Sequence, residues 1–171
     1  VMGYDEAIRG SRPVGKAVAI VGAGGIGFDV AELVSHAGPS AALDRDVFAR
    51  EWGIDFENHP RGGVAGVTPQ VQTAERTVFL LQRKPTSHGR GLGPTTGWAH
   101  KLALKRRGVI MLRGVRYDRI DDAGLHITVD DQAQCLPVDT VIICAGQESE
   151  RGLYDALAAR RGGVHLIGGA D

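Results

Sequence analysis

Between residues 17 and 145 the chain alternates short, unbroken apolar runs with stretches whose apolar positions recur every three or four residues. The runs at 17–21, 77–82, 109–113 and 139–145 are rich in Val, Ile and Leu and lack the strict alternation of a half-exposed strand. They predict strands buried on both faces of a parallel sheet. After the first of them, Ile26, Val30, Leu33 and Val34 fall on one side of a helix that Gly38 is placed to stop. Leu43, Val47, Phe48 and Trp52 mark a second helix over about 42–52, and further helical stretches are expected over 4–9, about 97–107 and about 152–160.

The pattern changes between 115 and 138, where three short runs are separated by turn signals at 121–124 and 130–131. This predicts an antiparallel three-stranded β-meander. A last apolar run, Val164 to Ile167, reads as a closing strand, whereas 53–75 is an irregular Gly/Pro/Gln-rich excursion. The expected fold is α/β: a Rossmann-like parallel sheet with the antiparallel three-stranded β-meander as a separate layer.

Composition places the chain among ordinary globular proteins, since 43% of its residues are hydrophobic and 23% charged. Its two cysteines, Cys135 and Cys144, are too few for a disulfide scaffold, a four-thiolate zinc site or an iron–sulfur cluster, which favours a reducing compartment. No run approaches the roughly 18 apolar residues needed to span a bilayer, and residues 1–5 lack a signal-peptide pattern. The expectation is a cytoplasmic, soluble protein with no membrane partner. The histidines show no metal spacing, and no acid–base pair stands out, so neither a catalytic nor a metal-ligating residue is assigned.

Charge adds a directional hint. The 20 basic and 20 acidic residues cancel, yet the window from Arg76 to Tyr117 contains ten basic residues and no acid. Such a block suits an anionic ligand, either a phosphorylated cofactor or a nucleic acid, although a solvated basic face would look the same. With only Phe79, Trp98 and Tyr117 as aromatics, the window offers no stacking platform for single strands, so no nucleic-acid partner is expected.

The motif that carries chemistry is Gly22-Ala23-Gly24-Gly25-Ile26-Gly27, a G-x-G-x-x-G that leaves a predicted strand and opens a predicted helix. Gly22 permits the tight turn, Gly24 the approach of a pyrophosphate, and Gly27 close packing of helix on strand. The phosphates of a dinucleotide would sit on unpaired amides at the positive helix end. The end of the second strand, where such folds read the adenosine ribose, holds Arg83 and Lys84 in place of a carboxylate, which selects NADPH over NADH. Arg83 comes 61 positions after Gly22, far beyond the usual 20 or so, and an insertion at about 39–75 restores the register. A second glycine loop runs from Gly91 to Gly97; Thr95 or Thr96 can cap the helix that follows, and Trp98 is expected in the core.

Several segments together resemble the C-terminal part of bacterial NADPH-dependent 2,4-dienoyl-CoA reductases. They are Val18 to Asp29, Glu51-Trp52-Gly53-Ile54-Asp55, Leu80 to Lys84, Gly91-Leu92-Gly93 with Thr95 to Trp98, Asp121 to His126, Val141 to Glu148, and His165 to Asp171. The resemblance spans essentially the whole chain and includes part of the insertion. It implies a three-part flavoenzyme with an FMN-binding barrel carrying a 4Fe-4S cluster, an FAD-binding domain, and an NADPH-binding domain inserted within the latter. On that plan residues 1–16 are a connector from the FAD-binding domain, 17–146 the NADPH-binding domain, and 147–171 the return segment. Val141 to Gly146 resembles the closing strand and turn of the NADPH-binding domain, with Ala145 and Gly146 at the turn, and Asp171 is similar to the acid that faces FAD.

The implied activity is to present NADPH to FAD, with electrons passing through the cluster to FMN for reduction of 2,4-dienoyl-CoA in unsaturated fatty acid β-oxidation. The implied partners are NADPH and the FAD-binding and barrel domains of the same parent chain, and the isolated piece is expected to be inactive. The same domain in a related enone reductase or amine-oxidising flavoenzyme is the alternative, and a non-catalytic nucleotide-binding module the bland one.

Overall fold

A computed structural model describes residues 1–58, 66–146 and 148–171. Five strands, β1 (Met2–Gly3), β2 (Ala17–Val21), β3 (Thr77–Gln82), β4 (Ile110–Arg113) and β8 (Thr140–Ile143), form one parallel sheet in the order β1-β8-β2-β3-β4. The remaining strands, β5 (Arg116–Asp121), β6 (Gly124–Val129) and β7 (Gln132–Leu136), make the antiparallel meander. Helices α1 (Tyr4–Arg9), α2 (Gly25–Ser35), α3 (Arg45–Trp52), α4 (Gly97–Arg106) and α5 (Gly152–Ala158) complete the chain.

The central strands read as continuous apolar runs because both faces are covered. Val18, Ile20, Leu80 and Ile142 pack with Phe28, Val30 and Ala31 of α2 and Leu104 of α4. Their neighbours Ala19, Leu81 and Val141 point the other way and pack with Leu125, Ile127 and Leu136 of the meander. The result is three layers, helices on sheet on meander, with all of these side chains 6% exposed or less.

Asp139 ties the starts of the two central strands together. Its Oδ2 accepts the amides of Lys16 and Ala17 at 2.9 and 3.1 Å, and its Oδ1 accepts the Thr140 hydroxyl at 2.8 Å. Burial would raise this carboxyl; the Ala17 amide, the Thr140 hydroxyl, the Lys16 amide and nearby Arg76 outweigh it and hold the group below the ordinary aspartate range.

The structure departs from the sequence pattern at several places. Val164–Ile167 forms no strand, and Ile167 is 80% exposed. The place beside β8 is taken by β1, whose Met2 pairs with Ile142, a two-residue strand too short to show any periodicity. Helix α3 starts three residues later than the apolar spacing suggests, because Asp44 caps it by accepting the amides of Asp46 and Val47. Leu43 is left outside and almost fully exposed. Trp98, expected in the core, lies 63% exposed in the first turn of α4, where its indole N–H donates to the Thr95 carbonyl at 3.0 Å. Thr96 caps α4 without a hydroxyl bond; the Gly97 amide turns back to the Gly93 carbonyl instead.

The insertion folds back on the helical layer. Within it the Gln70 amide donates to the Arg50 carbonyl; across to α4 the Ala74 amide donates to the Arg107 carbonyl, and Arg106 lies over the Trp52 ring at 5.3 Å. The Arg107 side chain is buried between Glu32 of α2 and Glu51 of α3, with N···O distances of 3.7 and 3.9 Å.

Candidate nucleotide-binding site

The glycine turn is built as close packing requires. Gly22 adopts φ +111°, and a β-carbon there would press on the Cys144 carbonyl oxygen at 2.9 Å. A β-carbon on Gly27 would collide with the Gly22 carbonyl oxygen. Gly24, in contrast, has an ordinary φ of −80° and nothing within 4 Å of where its β-carbon would lie. It is the N-cap of α2, so the Gly25, Ile26 and Gly27 amides precede the first helical bond, from Phe28 N–H to Gly24 carbonyl, and no acid sits in that turn. Open space over amides at a positive helix end accommodates a pyrophosphate.

Next to this turn, β3 delivers Arg83 and Lys84 at its carboxyl end. The side-chain amide of Gln82 shapes the following loop by donating to the carbonyls of Lys84 at 2.9 Å and Thr86 at 2.6 Å. His88 anchors the loop from beneath: its ring is buried and its Nε2 donates to the Leu112 carbonyl at 3.2 Å. Burial is the largest influence on His88 and, helped by Lys101 and Arg113, brings it below the usual imidazole range against the pull of the Leu80 and Leu112 carbonyls. Lys101 of α4 reaches the Ser87 hydroxyl at 2.6 Å.

Glycine turn and basic strand end share one cavity of about 550 Å3. Gly22, Ala23, Gly24 and Ala145 form one part of its wall, and Arg83 and Lys84 another. Arg90 contributes a third cation, and among the described residues no carboxylate lines the cavity. Cys144, just before Ala145, is buried, and burial pushes its thiol up to about 12.

The family model for pyridine nucleotide-disulphide oxidoreductases matches residues 4–167, nearly the whole chain. The chain belongs to this family. Its members use FAD and NAD(P)H, and the three-layer unit is consistent with the nucleotide-binding part of a flavoenzyme. A metal reductase from Desulforamulus reducens is 26% identical over 167 residues, which are 96% of this chain and 23% of that protein. The chain thus spans about a quarter of the length of this curated relative. Among solved structures, a 2-naphthoyl-CoA reductase superimposes with a TM-score of 0.61 at 14% identity, over 92% of this chain and 18% of that one. Histamine dehydrogenase from Rhizobium sp. 4-9 does so with a TM-score of 0.53 at 15% identity, over 94% and 20%. These two likenesses are likenesses of fold.

Not every residue singled out from the sequence reaches the cavity of this oxidoreductase domain. Gly22, Ala23, Gly24, Arg83, Lys84 and Ala145 line it. Gly25, Ile26 and Gly27 form the first turn of α2, with Ile26 half-buried against the core. Gly146 follows Ala145 in a left-handed conformation, φ +78°, and Asp171 closes a 3-10 turn over Gly168–Ala170; neither is part of the cavity lining. Tyr117 of β5, in contrast, lines the cavity, and nothing in its local sequence marks it. Among the described residues no helix is long and apolar enough to cross a membrane, and no group of histidine, cysteine and acidic side chains is arranged to hold a metal ion.

Proposed function

We propose that this domain binds NADPH and, within a longer flavoenzyme of the 2,4-dienoyl-CoA reductase type, presents it to FAD for hydride transfer. The observation that carries the reading is the joining of Arg83 and Lys84 to the Gly22–Gly24 turn in one cavity, with no carboxylate among the described lining residues. A guanidinium fork beside a compact ammonium suits a 2′-phosphate, whereas an NAD site would place a carboxylate there. The open space over Gly24 suits the pyrophosphate. Bound NADPH supplies a hydride; the residues of this chain supply the cradle and the choice of cofactor.

The dienoyl-CoA assignment is supported by the segments from Val18 to Asp171 that resemble that family. FMN and a 4Fe-4S cluster would belong to the barrel of the parent enzyme, as would the choice between a dienoyl thioester, another enone and an amine. Residues 147–171 would lead toward the FAD-binding domain, with Asp171 facing the flavin. In keeping with this, none of the α5 side chains is buried, and Leu153 and Ile167 are 75% and 80% exposed.

Calorimetric titration with NADPH and NADH tests the cofactor reading. Arg83→Ala is expected to weaken NADPH binding by roughly ten- to a hundredfold, the worth of one charged hydrogen-bond set, and to leave NADH unchanged. Equal losses for both cofactors would mean that Arg83 supports the fold and would defeat the reading. Turnover of 2,4-dienoyl-CoA by the parent enzyme, against enone and amine substrates, tests the finer assignment.

A further inference from the structure

We propose that the Tyr117 hydroxyl is a third anchor for the NADPH 2′-phosphate, donating a hydrogen bond to the group that Arg83 and Lys84 hold. This rests on the NADPH reading and adds to it a specificity residue from a different layer of the fold.

The placement of Tyr117 is set by the backbone. Where β4 passes into the meander, the Gly114 amide donates to the Lys84 carbonyl at 3.2 Å and the Val115 amide to the Gln82 carbonyl at 3.0 Å. These two bonds draw the start of β5 against the basic end of β3. Val115 plugs into the lower core at 2% exposure, and two residues on, Tyr117 pairs with the fully buried Ile127. The ring packs partly against that core, and the side chain lines the same cavity as Arg83, Lys84 and the glycine turn.

The surrounding charges leave Tyr117 free for this task. The strand bulges just after it, and the bulged Asp118 is held by Arg116 Nε at 3.0 Å and the Thr128 hydroxyl at 2.8 Å. Arg116 is thereby engaged by Asp118 and is not among the residues lining the cavity. Burial pushes the Tyr117 phenol up to about 12, with Arg83 as the neighbouring charge pulling the other way, so the phenol keeps its proton at neutral pH. It therefore faces an anion as a donor. A 2′-phosphate has three acceptor oxygens, more than the fork of one arginine engages.

Titration of wild type, Tyr117→Phe, Arg83→Ala and the double variant with NADPH and NADH tests the proposal. Tyr117→Phe keeps the ring and loses only the hydroxyl. It is expected to weaken NADPH by roughly tenfold with NADH and the melting temperature unchanged, in line with a hydrogen bond to a charged group. The double variant should lose less than the product of the two single losses, because both groups serve one phosphate. An unchanged NADPH affinity in Tyr117→Phe, or equal losses for both cofactors, would overturn the role of the hydroxyl and reduce Tyr117 to a wall of the adenosine site. Failure of the wild type to prefer NADPH over NADH would instead overturn the cofactor reading, before any variant is compared.

Discussion

The carbonyl oxygen of Gly22 occupies the space that a β-carbon on Gly27 would need. The strand end and the first turn of α2 are therefore in backbone contact, and the third glycine of the motif is a packing residue in the first turn of α2.

The two glycines of that helix end should separate stability from binding. Gly27→Ala forces backbone apart and is expected to destabilise the domain by about 1–3 kcal/mol, the usual range for overpacking. Gly24→Ala meets open space at a φ that alanine tolerates, so its stability should stay within about 0.5 kcal/mol of wild type. Its methyl group would stand where the proposed site puts the pyrophosphate, and on that reading NADPH binding should fall at least about tenfold. Urea unfolding and calorimetry on both variants check the split; a Gly24→Ala protein that binds normally would place the phosphates elsewhere.

Asp139 should make stability depend on acid pH. Its folded-state pKa is depressed, so its contribution is present above the unfolded value of about 3.9 and is lost as pH falls through the folded value. Asp139→Asn keeps the shape and removes the charge, and is expected to cost about 1 kcal/mol at pH 7, at the low end for charged hydrogen bonds because the carboxylate is exposed. The gap between wild type and variant should close below about pH 4. A gap that is the same at pH 7 and pH 3 would show that the charge is irrelevant.

The two thiols should react very differently. Cys135 is exposed on β7, whereas Cys144 is buried beneath the glycine turn with its thiol pushed up to about 12. At pH 8 one thiol per chain is expected to react rapidly with an aromatic disulfide reagent in the folded protein, and both after denaturation. Rapid reaction of both in the native state would contradict the packing around Cys144.

Arg107 pins the insertion to the helices. Arg107→Met retains apolar volume but removes the partner of Glu32 and of Glu51, whose side chain is only 12% exposed. The expected cost is about 1–3 kcal/mol, below the range for closely paired buried ions because the contacts are long. Limited proteolysis should cut first within 39–75, and faster than in wild type. Unchanged protection there would mean that Trp52 and the backbone bonds hold the insertion alone.

Much of this domain could be read in one dimension because its signals are local. A strand buried on both faces must be apolar throughout, so 17–21 and 77–82 announced a parallel sheet; the turns around 121–124 and 130–131 announced the meander; and the glycine spacing announced the tight turn from β2 into α2. The ends of elements were less legible, since the Asp44 cap, the solvent-facing Trp98 and the unpaired Val164–Ile167 depend on which neighbours occupy the space. The edge strand Met2–Gly3 exists only through β8, more than a hundred residues away. The cavity is tertiary for the same reason. Gly22, Arg83, Tyr117 and Ala145 come from four strand ends, and only the parallel register, with the Gly114 and Val115 amides bonded to β3, brings a meander tyrosine to the basic wall. Backbone hydrogen bonds between distant segments leave no periodic trace in the side chains, which is why Tyr117 emerged from the folded chain and the glycine motif did not have to.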